Sequence, residues 1–356
     1  MKNKILSIIF VFILFVFLIL NFITKDSDIS LSERRKLKQF PKVTIKSLLD
    51  SSFFKEVDEY STDQMVYRNK FREVKSFFST KILNNYDFNN MYEINNNIFK
   101  IEYPLNNNAI RINNNKLNSI YNKYLMNNKV YYSIIPDKNY FVNDKYLKID
   151  YDKMFLEINK GLSNFNYIDI SNVLSLDDYY LTDPHWKQDK LSKVVKVLLN
   201  DMNNDYYDFK YNKNVFNNFC GSFHNQAASN IPCESLSYYN NKILDEASLY
   251  NIESTYDKVY NENKLMGIDP YDVFLSGSSA YEEISNNNAY NNKELVIFRD
   301  SFGSSIAPLL IPFYRKIILI DIRYINSDLL NKYIDFNNQD VLFLYSTLIY
   351  NTNILK

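Results

Sequence analysis

Hydrophobic positions follow three successive patterns along the chain. The first is unbroken, because residues 5–23 form an apolar run of about 19 residues, which is long enough to cross a bilayer as a helix. In the second, residues 44–83, apolar side chains recur every three or four positions and predict amphipathic helices. In the third, beyond residue 129, short continuous apolar runs alternate with helix-like segments.

The third pattern predicts an α/β fold with a mostly parallel sheet and helices on both faces, because buried parallel strands are continuously apolar. The expected strands are residues 129–136, 167–170, 295–298, 316–321 and 341–346. The expected helices between them include residues 151–162, 187–199 and 305–314. In such sheets, functional sites lie beyond the carboxyl ends of the strands.

The apolar run at the N-terminus predicts a membrane anchor. Lys2 and Lys4 precede it, which favours a cytoplasmic N-terminus, and no Ala-x-Ala-like cleavage site follows it. The alternative is a cleaved signal peptide. Both interpretations place the body of the chain outside the cytoplasm, so the predicted location is the extracytoplasmic side of the cytoplasmic membrane.

These patterns suggest three regions. Residues 1–25 form the signal anchor, and residues 26–85 form a linker and a helical region. Residues 86–356 form the α/β domain, which contains an aromatic, polar and irregular insertion at about residues 209–283.

Composition narrows the function classes. Lysine plus arginine and aspartate plus glutamate both number 41 in the 356 residues, so no basic footprint for nucleic acid is present. The chain has two histidines and two cysteines without a metal-ligand spacing, so we expect no metal and no cofactor. Cys220 and Cys233 form either a disulfide, which an oxidising compartment would permit, or a pair of unpaired thiols in the core.

Two segments carry residues suited to acyl-transfer chemistry. In one, an expected strand runs into Asp300 and Ser301 and then into a helix. A serine at such a turn exposes its hydroxyl, and backbone N–H groups at the helix start can stabilise an oxyanion. In the other, Asp183 lies two residues before His185, so the pair could activate that serine as a base with its orienting carboxylate.

A purely structural interpretation stays open for both segments. Asp183 followed by Pro184 is also a typical helix start, and Asp300 and Ser301 are good N-cap residues. His224 fits a loop histidine better than a substrate contact.

Five blocks in order resemble the DHHW family of the SGNH-hydrolase-like group, which includes the alginate O-acetylation proteins. The first block is residues 32–71, which close on Asp63, Gln64 and Arg68. The other four are IIPDKNYF, YYLTDPHW, VIFRDSFGSSIAPLL and IDIRY. The resemblance covers most of the chain after the anchor and implies an SGNH-like, flavodoxin-like fold.

The resemblance also implies site residues. Ser301 would be the nucleophile, His185 the base and Asp183 its partner, in a chain order opposite to that of ordinary SGNH esterases. The sequence departs from the family pattern at Pro184, where the family's first motif histidine would stand, and at Lys190, where a small residue is usual.

Weaker candidates surround these three residues. Gly221 is a candidate oxyanion donor, Trp186 could wall the site or pack beside it, and Tyr180 is a candidate for substrate binding. Arg299 and Arg323 could orient a substrate, or could form structural ion pairs with Asp300 and Asp321.

The function that the resemblance implies is an O-acetyltransferase, or an acetylesterase, acting on a cell-surface or secreted polysaccharide through an acetyl-enzyme. It also implies a multi-pass membrane O-acyltransferase that donates acetyl groups. The alternatives are a non-catalytic carbohydrate-binding or assembly protein on a degenerate scaffold, and a structural surface protein.

Overall fold

The computed structural model describes residues 2–30, 33, 35–252 and 254–356. Contacts divide the chain into two units, one made of residues 1–89 and 224–230 and the other of residues 90–223 and 231–356. The helices are α1 (Lys2–Ile23), α2 (Ile45–Leu49), α3 (Ser52–Asp63), α4 (Arg68–Phe77), α5 (Asn107–Ile120), α6 (Tyr151–Gly161), α7 (Ser192–Asp201), α8 (Ser222–Ala227), α9 (Lys242–Asp245), α10 (Phe302–Leu310) and α11 (Thr347–Tyr350). The strands are β1 (Ile29–Ser30), β2 (Arg35–Lys36), β3 (Met91–Ile94), β4 (Asn97–Lys100), β5 (Val130–Ile135), β6 (Asn166–Tyr167), β7 (Asn212–Phe219), β8 (Glu234–Asn240), β9 (Ser248–Asn251), β10 (Thr255–Tyr256), β11 (Tyr281–Ser285), β12 (Glu294–Arg299), β13 (Lys316–Ile320) and β14 (Asp340–Ser346).

The unit of residues 1–89 and 224–230 is helical and begins with α1. Within α1, residues 4–23 form a span of 20 residues that is long and apolar enough to cross a membrane. By length and composition, an N-terminal signal sequence would look the same. The periodic stretch at residues 44–83 forms α2, α3 and α4, and a π-helical turn, Phe78–Ile82, extends α4.

The other unit is built on an eight-stranded sheet with the order β10-β9-β11-β13-β12-β14-β5-β6. The five strands from β13 to β6 are parallel. Four of them, β5, β12, β13 and β14, coincide with predicted apolar runs, whereas β6 is two residues long and shares only Tyr167 with the predicted strand at residues 167–170. The other three strands extend the sheet antiparallel from β13; β9, β10 and the start of β11 lie within the segment expected to be irregular. Polar residues interrupt the apolar ones there, as in the YEEIS of β11, so these strands lack the continuous apolar signal of a buried strand.

Helices cover both faces of the sheet, as predicted. Successive residues of β12 belong to different cores, because side chains alternate across a strand. Leu295 and Ile297 pack in a core with α7 and α10, whereas Val296 and Phe298 pack in a second core with α5 and α6. The sequence prediction of a mostly parallel α/β fold is therefore confirmed.

The parallel strands have the flavodoxin order in space, but the order in which the chain visits them is circularly permuted. Counted from β12 as the first strand, the parallel strands lie in the order 2-1-3-4-5, which is the flavodoxin order. The chain, however, enters the sheet at the fourth strand, β5, and reaches β12 only after β6. A residue that follows β6 therefore precedes a residue that follows β12, which accounts for the order of Asp183, His185 and Ser301 in the chain.

Candidate active site

Ser301 lies at the turn between β12 and α10, at the carboxyl end of a central strand. The preceding carboxylate fixes this turn, because Asp300 accepts the N–H of Phe302 at 3.0 Å and the N–H of Ser346 at 2.8 Å. These bonds cap the start of α10 and join the end of β12 to the end of β14. The Ser301 N–H has no hydrogen-bond partner among the described residues.

His185 joins Asp183 to Ser301. Its Nδ1 is 2.5 Å from Asp183 Oδ1, and its Nε2 is 2.8 Å from Ser301 Oγ. A carboxylate can only accept, so Nδ1 carries the proton, and Nε2 is left to accept the Ser301 hydroxyl. The three residues that the sequence singled out therefore form one hydrogen-bonded row, with the connectivity of a Ser-His-Asp triad.

Asp183 is fully buried and saturated with donors. Besides the imidazole, its Oδ1 accepts the backbone N–H of His185 at 3.2 Å, and its Oδ2 accepts the N–H of Ser222 at 2.7 Å. These three hydrogen bonds fix the orientation of the Asp183 carboxylate.

Glu234 holds the loop just before Asp183. Its Oε1 accepts the N–H and the hydroxyl of Thr182 at 2.8 and 2.7 Å, and its Oε2 accepts the N–H of Leu181 at 3.0 Å. The Thr182 hydroxyl in turn accepts the N–H of Gly221 at 3.0 Å. The Gly221 N–H is thus engaged away from Ser301, so the structure gives this candidate oxyanion donor a packing position instead.

Gly221 is at a point of close approach between two backbone segments. A Cβ there would lie 2.2 Å from the carbonyl oxygen of Thr182 and 2.4 Å from Cβ of Asp183. Only glycine therefore fits this position without moving the loop that carries Asp183.

Lys138 also binds the loop just before Asp183. Its buried ammonium donates to the carbonyl oxygens of Ile98 at 2.6 Å and of Tyr180 and Leu181 at 2.9 Å. Burial lowers the pKa of Lys138 to about 7, and the negative charges of Glu234 and Asp183 oppose that shift. Glu234 and Lys138 thus fix the N–H and C=O groups of this loop, respectively.

The Cys220–Cys233 disulfide is formed. Cys220 directly precedes Gly221, and Cys233 directly precedes Glu234. Gly221 and Glu234 both contact Thr182. Of the two alternatives that the sequence left open, the structure has the disulfide, which ties the two segments that hold the Asp183 loop.

Aromatic side chains enclose the imidazole of His185. The ring of Tyr271 stacks on it with centroids 4.0 Å apart and an angle of 11°, and Phe302 lies at 4.9 Å. The Tyr271 hydroxyl donates to Ser305 Oγ at 2.9 Å, so the stacking ring is itself held in place. This apolar covering strengthens the electrostatic interactions of the imidazole by excluding water.

Trp186 and Tyr180 are buried beside the triad and have no exposed surface for a substrate. The Trp186 indole donates to the carbonyl of Phe302 at 3.1 Å and to Ser305 Oγ at 2.9 Å, which docks the His185 loop onto α10. Trp186 thus has the packing position that the sequence left open for it, and Tyr180, a candidate for substrate binding, is buried as well.

Both candidate arginines are in ion pairs. Arg299 is fully buried and donates to Glu282 at 2.6 Å, and its guanidinium lies 3.9 Å from Asp321. Arg323 binds Asp321 through both Nε and Nη2, at distances of 2.6 to 3.1 Å. The ion-pair interpretation therefore describes both, with Glu282 as a partner that the sequence did not indicate.

The sequence missed Glu234, Tyr271 and Lys138 as neighbours of the triad. Lys138 stood within the IIPDKNYF block, so its signal was present but unused. Glu234 follows Cys233 directly, but its partners are 52 and 53 residues away along the chain, a pairing that no local pattern reveals.

No protein-family profile and no curated protein matches the chain. Several solved structures match its fold. A DHHW family protein from Eubacterium siraeum is similar with a TM-score of 0.62 and 19% identity, over 75% of this chain and 93% of that one. Bacillus cereus PatB1 is similar with a TM-score of 0.59 and 18% identity, over 75% of this chain and 98% of that one, and PatB1 has also been solved with a sulfonyl adduct.

A looser likeness, with a TM-score of 0.42 and 9% identity, is to the O-acetyltransferase domain of Pseudomonas putida AlgJ, over 69% of this chain and 84% of that one. A likeness at that level does not inform on the chemistry of this chain. The DHHW resemblance of the sequence motifs is thus confirmed at the level of the fold: this chain has the fold of a DHHW family protein.

Proposed function

We propose that the protein is an O-acetyltransferase or acetylesterase that acts on a polysaccharide, with Ser301 as nucleophile, His185 as base and Asp183 as its orienting carboxylate. The observation that carries the proposal is the continuous row from Asp183 Oδ1 through His185 to Ser301 Oγ, at 2.5 and 2.8 Å. If Asp183 and Ser301 served only as helix N-caps, nothing would require the His185 imidazole to lie within hydrogen-bond distance of both. The DHHW motifs and fold support the polysaccharide as the class of substrate.

In the first half-reaction, Ser301 Oγ attacks the carbonyl carbon of an acetyl donor, and His185 Nε2 takes the hydroxyl proton. The tetrahedral intermediate collapses, the leaving group departs with that proton, and an acetyl ester remains on Ser301. Asp183 stabilises the imidazolium that forms between these two steps.

In the second half-reaction, a sugar hydroxyl attacks the acetyl ester while His185 Nε2 accepts its proton. Collapse then returns the proton to Ser301 Oγ and releases the acetylated sugar. Water in place of the sugar gives acetate and a deacetylase, because the residues and their roles are the same. Transfer therefore depends on an acceptor that displaces water from the ester.

The N–H of Ser301 is our candidate for an oxyanion donor. It has no partner among the described residues and lies at the start of α10, where the helix dipole favours negative charge. The neighbouring N–H groups of Phe302 and Gly303 are engaged by Asp300.

We place the catalytic unit outside the cytoplasm, anchored by α1. Lys2 and Lys4 on the N-terminal side of the span and a disulfide in the body support this orientation. A protein outside the cytoplasm has no direct access to cytoplasmic acetyl donors. The proposal includes a multi-pass membrane O-acyltransferase as the partner that supplies acetyl groups, because the DHHW resemblance implies one.

The test is to incubate the detergent-solubilised full chain with a chromogenic acetyl ester and to measure turnover and intact mass. The protein should turn the ester over or gain one acetyl group, and Ser301→Ala should do neither while keeping its thermal unfolding midpoint. An aryl sulfonyl fluoride should label wild type but not Ser301→Ala. A folded wild-type protein that neither turns over the ester nor takes either label would favour the non-catalytic carbohydrate-binding alternative.

A further inference from the structure

The segment from Tyr67, the N-cap of α4, to Ile82 at the end of the π turn has apolar residues on the outside. Five of them recur at helical spacing and are each at least 43% exposed. We call them the apolar stripe, which consists of Tyr67, Phe71, Val74, Phe78 and Ile82. An exposed row of this length on one helix marks a surface for an apolar partner.

The opposite side of the same helix is polar and faces protein. Arg72 donates to the carbonyl of Asn225 at 3.0 Å, and the buried hydroxyl of Ser76 donates to the carbonyl of Ala227 at 2.8 Å. A surface helix in water normally has the reverse arrangement. The environment on the outer side of α4 must therefore be apolar for this pattern to be stable.

Contacts with α1 show where this helix lies along the membrane span. Three residues spaced along the chain from α3 to α4 contact α1 or the residues just after it: Tyr60, Val66 and Phe71. Tyr60 donates to Asp26 at 2.9 Å, the Val66 N–H donates to Asn21 Oδ1 at 2.9 Å, and the Phe71 ring lies 5.7 Å from that of Phe17. As the chain advances, these contacts move back along α1 into the apolar span.

The last of these contacts sets a depth. Phe17 is six residues before the end of the span at Ile23, which is about 9 Å along a helix. Interfacial helices bury their apolar face about 5 to 10 Å into the boundary between headgroups and acyl chains. Phe71, the second residue of the apolar stripe, therefore lies at that depth when α1 spans a bilayer.

Charge in the same segment matches an anionic membrane surface. Residues 68–83 contain five basic residues and one acidic residue. Arg68 and Arg72 pair with Glu33 within the unit, and Lys70 pairs with Glu73 at the surface. The amphipathic helices that lie on membranes combine an apolar face with such basic flanks.

We infer that the apolar stripe is a second membrane contact, in which α4 and the π turn after it lie in the bilayer interface beside α1. The bilayer, with anionic headgroups over the basic flanks, is the occupant of this surface. The unit of residues 1–89 and 224–230 is then fixed against the membrane by two elements. A single spanning helix would leave it free to tilt. This inference does not depend on the proposed chemistry.

The experiment measures the depth of spin labels on the full chain in vesicles of phosphatidylcholine and phosphatidylglycerol. Both native cysteines are in the disulfide, so one added cysteine can be labelled with a nitroxide. Val74→Cys and Phe78→Cys place the label on the stripe. Asn69→Cys is the matched control, because it is exposed on the same helix about 200° from Phe71.

Labels at positions 74 and 78 should collide more often with lipid-soluble oxygen than with a water-soluble nickel chelate, and the label at position 69 should show the reverse. A stripe label that prefers the nickel chelate would place the stripe in water and overturn the inference. A stripe label that is immobile and shielded from both reagents would assign the stripe to another protein or a second copy, which also overturns it. Two stripe positions keep the test valid if one variant misfolds, which circular dichroism would reveal.

Discussion

Glu234 and Thr182 are joined by two hydrogen bonds to one carboxylate oxygen, from the Thr182 N–H at 2.8 Å and from its hydroxyl at 2.7 Å. The other carboxylate oxygen holds the N–H of Leu181. Asp183 is the next residue, so the position of the buried carboxylate behind His185 is set partly by Glu234. We regard Glu234 as a positioning residue for the proposed triad.

Glu234→Gln should therefore lower kcat by about ten- to a hundredfold with little change in KM, since small misplacements of reacting groups have effects of that size. The amide offers one acceptor oxygen, so its NH2 group must face either Leu181 or Thr182 as a second donor. That mismatch should also lower the free energy of unfolding by about 1 to 3 kcal/mol. Ester turnover and denaturant unfolding would measure the two effects.

Glu157→Gln is the control, because Glu157 is a half-exposed surface residue paired with Lys160. A readout independent of activity is the NMR signal of the His185 Nδ1 proton, which can be assigned through a His224→Gln variant because the chain has two histidines. Glu234→Gln should shift this signal and Glu157→Gln should not. Equal kcat values and an unmoved signal would show that Glu234 only stabilises the loop.

Asp183→Asn should abolish most of the activity while leaving the fold intact. The carboxamide can turn its oxygen toward the Ser222 N–H, but its NH2 group then faces His185 Nδ1. That contact favours the tautomer with the proton on Nε2, which cannot accept the Ser301 proton. We expect kcat to fall by about four orders of magnitude, as in other triads with this change.

Intact-mass analysis with the acetyl ester would separate this effect from a loss of the nucleophile. In Asp183→Asn, slow acetylation of Ser301 should still occur over long incubations, whereas Ser301→Ala should gain no acetyl group. An Asp183→Asn protein with nearly wild-type kcat would rule out the proposed role of this carboxylate.

The strands and site residues that could be predicted are those that a short contiguous stretch of sequence identifies. The strands β5, β12, β13 and β14 are buried on both faces and read as continuous apolar runs, so their positions were predictable. Ser301 was identifiable because it stands at a strand-to-helix boundary within a family motif, and His185 because it lies within another such motif.

Pairings between residues that lie far apart along the chain could not be predicted from the sequence. Arg299 was expected to pair with Asp300 or Asp321, but its shortest ion pair is with Glu282, which β11 brings in from outside the parallel strands. Strands β9 and β11 carry polar residues in two of four and three of five positions, and such a pattern does not separate a strand from a loop. Two of the three partners of Glu234 are backbone N–H groups, which leave no trace in the sequence.

Removal of the disulfide should lower kcat as well as stability. Cys220→Ser combined with Cys233→Ser opens a loop of 13 residues, for which chain entropy predicts a loss of about 3 kcal/mol in unfolding free energy. The freed segments carry Ser222, which binds Asp183, and Glu234, which binds Thr182. We therefore expect a lower kcat even at temperatures where the double variant is fully folded.

The measurement is kcat as a function of temperature for wild type and for the double variant, beside thermal unfolding curves. Alanine at Met266, an exposed residue of the same unit outside the Asp183 contacts, serves as the control substitution. If kcat of the folded double variant matches wild type, the disulfide contributes only stability.

Lys138 should make stability depend on pH in a defined direction. Burial lowers its pKa in the folded protein to about 7, from the model-compound value of 10.5. Between these two values, the unfolded chain carries a proton on Lys138 that the folded protein has released, so a rise in pH favours the folded state. The contribution is a slope of at most about 1.4 kcal/mol per pH unit.

The difference in unfolding free energy between wild type and Lys138→Met should thus increase from about pH 7 toward pH 10 and be flat below pH 7. Lys160→Met, at an exposed position on α6, should show no such trend. Denaturant titrations of all three proteins across this range would measure it. A flat difference would mean that Lys138 keeps its proton in the folded state, as its three carbonyl acceptors, one for each N–H of an ammonium, would favour. In that case Lys138 and Glu234 would hold the Asp183 loop as a permanent pair of opposite charges.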